Sequence, residues 1–224
     1  MPRNAEPVIV GQKSGPEPPY VNAQVGDRLQ FGHYRQGANG EVEPITWRVL
    51  ECYSNSLLVI SEKGLDAKPY NESFCSVTWS DCTLRHWLNE KFFKKAFSER
   101  EQSLIIKTEK TRDNTSPSMC DKIFLLNSDE AERLFADDYG RMCKLTAYAV
   151  KNGAWTPSTG EYAGKARWWL RSGGRSNGYA VNVGYDGIIG INGSNVDYKR
   201  GAVRPAFLLA IHPICKVMED CAKV

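Results

Sequence analysis

The chain has 224 residues, of which 42% are hydrophobic and 25% charged, the balance of one substantial globular domain or two small ones and not of a disordered chain. Lys and Arg number 29 against 26 Asp and Glu, a formal charge of +3 with both signs mixed along the sequence, so no broad electropositive field exists to hold a phosphate backbone and nucleic acid is not an expected ligand. No apolar run approaches the roughly 20 residues that cross a bilayer, and the N-terminal stretch lacks the basic flank and apolar segment of an export signal, which leads us to expect cytoplasmic synthesis without membrane insertion.

Seven cysteines (Cys52, Cys75, Cys82, Cys120, Cys143, Cys215, Cys221) form an odd set with no CxxC spacing. The expected state is reduced, buried thiols, with Cys215 and Cys221 the pair most open to oxidation.

Residues 1–24 hold Pro2, Pro7, Pro16, Pro18 and Pro19 with Gly11 and Gly15; they continue neither a helix nor a central strand and read as a flexible N-terminal arm. The first strand is expected at Asp27 to Tyr34, where Leu29, Phe31 and His33 alternate with Arg28, Gln30 and Gly32. A hairpin through Gly37, Asn39 and Gly40 leads to a return strand from Ile45 to Leu50, and the turn at Ser54 to Ser56 to a third from Leu57 to Ser61. The opening third is therefore a β-meander.

The middle reads as helical. Asp81 is placed to cap a helix whose apolar positions Leu84, Trp87, Leu88 and Phe92 make one stripe. Ser98 to Glu101 has the form of a capping box ahead of Leu104 and Ile105. A buried strand from Lys122 to Leu126 then precedes Ser128, the expected cap of a short helix carrying Ala131, Leu134 and Phe135. Strands, then helices, then strands argue for an α+β fold.

Beyond Thr146 Gly, Asn, Ser and Tyr become frequent, and two anchor strands bracket the change: Arg167 to Arg171 and Val203 to Leu209. Between them, residues 172–202 read as short strands, Tyr179 to Val183 and Ile188 to Ile191, with turns around them. Gly184, Gly187, Gly190 and Gly193 recur every third residue without proline, which excludes collagen and points to turn chemistry.

These anchors carry a resemblance. VGDRLQFGHY (25–34), PITWRVL (44–50), LLVISEKGLDAKPYN (57–71), TWSDCTLRHWLNEKFF (78–93), DKIFLLNSDEAERLF (121–135), ARWWLRS (166–172) and GAVRPAFLLA (201–210) resemble a family of bacterial and phage-associated domains of uncertain function, abundant in gut bacteria. Its members often serve as target proteins of diversity-generating retroelements. The pairing of WWLRS with a downstream GVRPA-like strand is the most specific part, and the resemblance covers residues 25–211. Gly173 stands where the family commonly has proline.

The resemblance implies a C-type-lectin-like fold of the formylglycine-generating-enzyme type, with mixed and antiparallel sheets and a few helices. It also implies a domain over 25–211 that displays a variable segment at about 172–202, followed by a tail at 212–224. Such a protein binds a protein or glycan ligand, and the resemblance extends to display on a phage particle or cell surface through other factors. Retroelement mutagenesis acts at template adenines, so asparagine codons do not become Trp, Gln, Lys, Met or Glu; residues 170–198 contain none of these five.

The composition of this segment supports binding on its own terms. Tyrosine gives a large amphipathic contact with two torsions to freeze, and Asn, Ser and Asp give adaptable hydrogen bonds. Tyr179, Tyr185 and Tyr198 are the candidate anchors, with Asn177, Asn182, Asp186, Asn192, Ser194, Asn195 and Asp197 as the polar contacts around them. Each Asn or Asp taken singly serves a tight turn equally well. Ala180, Val181, Val183, Ile188, Ile189, Ile191 and Val196 cannot all face water, and Tyr179 and Asn182 should lie on opposite faces. Of Trp168 and Trp169, at least one belongs to the core, with sugar stacking the alternative for the other.

Enzymatic readings have less support. His33, His86 and His212 show no metal-ligand spacing, and His86 beside the helical stripe reads as packed or half-exposed. The formylglycine-generating cysteine pair has no local counterpart, so that activity does not follow from the fold. Glu43-Pro44 is followed by Ile45 and not by the Asn of calcium lectins, although oxygens of Asn192, Asn195 and Asp197 are hard-cation donors. Arg171 and Arg204 read as structural ion-pair or backbone partners. The expectation is a non-enzymatic binding protein with no cofactor and no metal.

Overall fold

The computed structural model describes residues 20–110, 119–211 and 222–223. In chain order its strands are β1 (Arg28–Arg35), β2 (Val42–Cys52), β3 (Ser56–Ser61), β4 (Asp66–Ala67), β5 (Ile105–Ile106), β6 (Thr108–Lys110), β7 (Met119–Asp121), β8 (Trp168–Gly173), β9 (Tyr179–Val183), β10 (Ile189–Asn195), β11 (Ala202–Val203), β12 (Ala206–Ala210) and β13 (Ala222–Lys223). One sheet has the order β1-β2-β3-β12-β5, a second β10-β9-β8-β11-β4, and a small third β13-β6-β7. The first sheet is antiparallel throughout and curled, so the molecule is a mixed α and β protein built mostly of strands.

The meander forms as its alternation requires, with one correction. Leu29 and Phe31 are buried, but a bulge then shifts the register, so Tyr34 turns inward and His33 outward. Gly32 makes this step: its φ is +67° and its N–H donates to Glu101 at 3.0 Å. A Cβ there would come within 2.6 Å of the Ala96 carbonyl oxygen, which leaves room for glycine alone. Under the sheet, Trp47 meets Phe207 edge-on at 4.6 Å, and Phe97 fills the space between them and Phe31. The indole N–H of Trp47 donates to the Phe31 carbonyl, so the buried polar atom is satisfied.

The helix over residues 83–96 runs as Thr83–His86, a π-helical stretch Trp87–Phe92, and Phe93–Ala96. Its stripe of Leu84, Leu88 and Phe92 is buried as expected, while its cap is the Cys82 sulfur, which accepts from the Arg85 N–H; Asp81 instead accepts from Thr78 and Ser80. The capping box at Ser98 and Glu101 opens the helix Glu99–Leu104. Asn127, not Ser128, caps Ser128–Arg133, again with a reciprocal bond from Glu130. Two short helices, Asp138–Arg141 and Ala147–Lys151, were not legible in the pattern. Ile123 to Leu126 is fully buried but is not a ladder strand: it meets the first sheet through the bridge of Phe124 to Ala206 and the second through the Arg171 N–H, which donates to the Leu126 carbonyl, while the strand lies earlier, in β7.

The expected strand from Val203 to Leu209 is two strands. β11 pairs with β8 and β4 in the second sheet, and β12 with β3 and β5 in the first. The break is Arg204-Pro205, where proline has no N–H to give a ladder, and the chain uses it to pass between sheets. The Arg204 guanidinium is buried at this corner. It donates to the carbonyls of Ser61 (2.9 Å) and Arg141 (3.1 Å) and lies 4.9 Å from the Trp168 ring centre and 5.5 Å from that of Phe135.

Cys52, Cys75, Cys82 and Cys143 are free thiols, the first two exposed and the last two buried, and Cys120 is disulfide-bonded. The expectation of reduced thiols therefore fails at Cys120, and that of burial at Cys52 and Cys75. The expectation for Cys215 and Cys221 lies outside the described residues, as does most of the arm and tail. Within the tail, Ala222–Lys223 pairs parallel to β6. No described helix is long and apolar enough to cross a membrane.

Candidate functional site

Residues 179–195 build β9, β10 and the hairpin between them. Gly184 to Gly187 is a four-residue turn in which the Gly187 N–H donates to the Gly184 carbonyl, with Asp186 Oδ1 accepting from the Ile188 N–H. Gly187 has φ +85°, and a Cβ on it would lie 1.8 Å from the Asp138 carbonyl oxygen; only glycine seats the tip there. The Arg141 guanidinium locks the seat by donating to the Gly187 carbonyl at 2.9 Å and by pairing with Asp138.

Opposite Val181, the strands on both sides carry extra residues. Gly190 and Ser194 of β10 face Asn182 and Ala180, and Trp169 and Gly173 of β8 face the same two. Two extra residues in each neighbour must bulge out of the sheet. In β10 this throws Ile191, 71% exposed, and Asn192 into solvent. Gly193 (φ +73°) and Gly174 permit the close crossing beneath, since a Cβ on either would stand 2.6 Å from a carbonyl oxygen. Ala180, Val181, Val183 and Val196 form the buried side, while Ile188 and Ile191 are exposed.

The candidate residues divide into groups. Asn177, at a turn, and Asn192 and Asn195, in β10, are exposed, and their carbonyls accept backbone bonds from Val77, Arg175 and Tyr198. Tyr179 is half-buried at one end of the hairpin. Arg175 lies 4.1 Å over its ring and donates to its hydroxyl, and Phe74, itself 56% exposed, meets it edge-on. Tyr185 is half-buried at the other end, between Trp155 at 5.8 Å and Tyr162 at 5.6 Å. The Tyr162 hydroxyl is raised in pKa, chiefly by the charge of Glu161, with desolvation and Asp186 adding to it. Since β9 has five residues, the two clusters stand about 17 Å apart along the strand.

Four of the candidate contacts, and the stacking alternative for the tryptophans, lie less open than expected. Asn182 is 6% exposed and donates to Ser194 Oγ at 3.0 Å, so it is a structural partner, not a contact. Tyr198 packs edge-on against Trp169 and under the Arg167 guanidinium, on the core and not at the tip. Ser194 Oγ accepts from both Asn182 and Arg167, and Asp197 is half-buried. Trp168 and Trp169 are both buried, their indole N–H groups donating to the carbonyls of Arg141 and Lys68, which removes either as a stacking platform. His86 is exposed, and His33 stands on the outer side of the first sheet.

Phe74, Trp155 and Tyr162 come from outside the segment and were missed. The sequence signal was present at Trp155 and Tyr162, aromatic residues in a Gly-rich loop, but their partner Tyr185 is distant in the chain. Arg171, read as a structural partner, pairs with Glu130 and donates to the Leu125 carbonyl beneath β8. Among the described residues no group of three His, Cys, Asp or Glu side chains is placed to hold a metal ion.

Residues 54–211, more than half of the chain, match the family described as Domain of unknown function (DUF6273). No curated protein and no solved structure matches.

Proposed function

We propose that this chain, which belongs to the DUF6273 family of domains of unknown function, is a non-enzymatic ligand-binding protein of C-type-lectin-like architecture whose β9–β10 hairpin is a diversified recognition surface and the target of a diversity-generating retroelement. The observation that carries the reading is the β10 bulge, which exposes Ile191 and Asn192 directly above the buried Ala180, Val181 and Val183. Side chains on such a bulge change without altering the core, and the backbone that presents them depends on glycines. Supporting the architectural part, the last strand of the first sheet, β12, lies beside the N-terminal β3, and the second sheet is an excursion between them.

The test is the flanking DNA. A reverse transcriptase gene with a near-repeat of the codons for 172–202 is expected, its differences confined to adenines and concentrated at Tyr185, Asp186, Ile188, Ile191, Asn192 and Asn195. Differences falling on Gly174, Gly187 or Gly193, or absence of any repeat, would overturn the diversified reading.

The row of exposed Trp155 with half-buried Tyr185 and Tyr162 supports a second reading, a carbohydrate-binding module, because aromatic faces stack on sugar rings. Glycan-array binding abolished by Trp155→Ala or Tyr185→Ala, and unchanged by Ile191→Ser, would select it.

A further inference from the structure

A cleft of about 430 Å³ opens between the start of the helix and the segment that joins β4 to it, lined by none of the hairpin residues. That volume falls in the range of small-molecule sites, roughly 300 to 1,000 Å³. Its floor is Pro69 and Leu84, both buried, and one wall is the half-buried Trp87. Trp87 begins the π-helical turn, where the Phe93 N–H reaches back to the Leu88 carbonyl. Such wide turns are uncommon and occur often at functional sites, since they displace side chains from the ordinary helical rows.

Around the rim stand two ammonium groups, Lys68 and Lys91, and two carboxylates, Glu72 and Glu90. The Lys68 ammonium is held 4.7 Å from the centre of the Trp87 ring. None of the four makes an ion pair with a described residue. Two charges of each sign are therefore held open across a cleft with an apolar floor. A singly charged ion would be attracted by one pair and repelled by the other, and a neutral sugar would leave both pairs unused. A molecule with one charge of each sign satisfies both.

We infer that this cleft binds a small zwitterion with an apolar body, of the α-amino-acid type: the carboxylate meets Lys68 and Lys91, the ammonium meets Glu72 and Glu90, and the side chain lies on Pro69, Leu84 and Trp87. The site is separate from the hairpin surface and stands whether or not that surface is diversified.

Isothermal titration of the full chain with L-phenylalanine, L-leucine and L-glutamine tests it, with phenethylamine, 3-phenylpropionate and glucose as single-charge and neutral comparators. At least one amino acid saturates a single site, and each comparator binds at least tenfold more weakly. Lys68→Ala weakens 3-phenylpropionate and the amino acid but not phenethylamine, and Glu90→Gln does the reverse for the two comparators. Glu90 is exposed, so Glu90→Gln keeps the parent melting temperature, and Lys68→Ala lowers it only by the loss of the ammonium contact with the Trp87 ring. Saturation by none of the three amino acids, glucose binding as tight as theirs, or indifference to both substitutions would overturn the assignment.

Discussion

Trp168 and Ile191 belong to the same five-stranded sheet and meet opposite surroundings. Around Trp168 every direction is filled: Arg204 over its ring, Phe135 at its edge, and its N–H on the Arg141 carbonyl. Around Ile191 the bulge leaves no neighbour to answer to, and the side chain is mostly in water. One strand of sheet, β9, separates a place where one methyl group would matter from one where almost any side chain fits. What permits the transition is backbone geometry: glycines in β10 and at the hairpin tip take the positions where a Cβ would collide. The framework ends at those glycines, and the surface proposed for exchange starts beside them.

Arg204→Met attacks the comparison at its rigid end and has the largest expected effect. The guanidinium is fully buried, its pKa lowered by desolvation and partly restored by Cys143. Removing it takes the guanidinium from the Ser61 carbonyl, leaves the Arg141 carbonyl with the Trp168 indole alone and opens space beneath that ring, a loss of about 3–5 kcal/mol in urea unfolding. Arg204→Lys should rescue little, because one ammonium cannot span two carbonyls and stack on an indole.

Gly187→Ala comes next, at the border between the two regions. Both its φ and the Asp138 carbonyl forbid a Cβ, so we expect a loss of about 2–3 kcal/mol. Gly164→Ala is the internal control. Its φ is +76° but no atom lies within 4 Å of the added carbon, which leaves about 1 kcal/mol of backbone strain alone. Equal melting temperatures for the two variants would show that the tip is not seated on Asp138, and the border between framework and displayed surface would move.

How much of this was readable in advance depends on the range of the forces involved. The meander, the amphipathic stripe of Leu84, Leu88 and Phe92, and the capping box at Ser98 depend on residues a few positions apart, and the sequence pattern located them. Tyr34 was misplaced because a single bulge at Gly32 reverses inward and outward for the rest of β1. The switch of sheets at Arg204-Pro205 depends on Ser61 and Arg141, far away in the chain, and the strand was therefore read as unbroken. At the candidate site, the hairpin and its exposed asparagines were legible from turn chemistry. The burial of Asn182 and the half-burial of Tyr198 were not, since Ser194, Trp169 and Arg167 decide them from other strands. Nor could spacing reveal that Trp155 and Tyr162 flank Tyr185.

Acid sharpens the comparison with a smaller effect. Burial would raise the Glu62 carboxyl, but hydrogen bonds and charge from Arg48, with the charges of Arg28 and Arg204, hold it below its ordinary value. A folded-state pKa below the unfolded one adds stability at neutral pH that is lost as pH falls through the folded value. Glu62→Gln should be less stable than the parent at pH 7, and the gap should close in acid. A gap that persists through that range would mean that the carboxylate acts by shape and not by charge.

The smallest expected change in stability tests the displayed region itself. Ile191→Ser removes an apolar side chain that the fold leaves in water, so its unfolding free energy should stay within about 0.5 kcal/mol of the parent. Asn192→Tyr should be equally silent, because the bulge points its side chain away from the Gly174 crossing that uses only the Asn192 carbonyl. A double variant of both should therefore fold as the parent does while losing any ligand that the hairpin holds. If instead Ile191→Ser costs as much as a core truncation, about 2–5 kcal/mol, then the bulge packs against something essential to folding, and the exchangeable surface must lie elsewhere on the molecule.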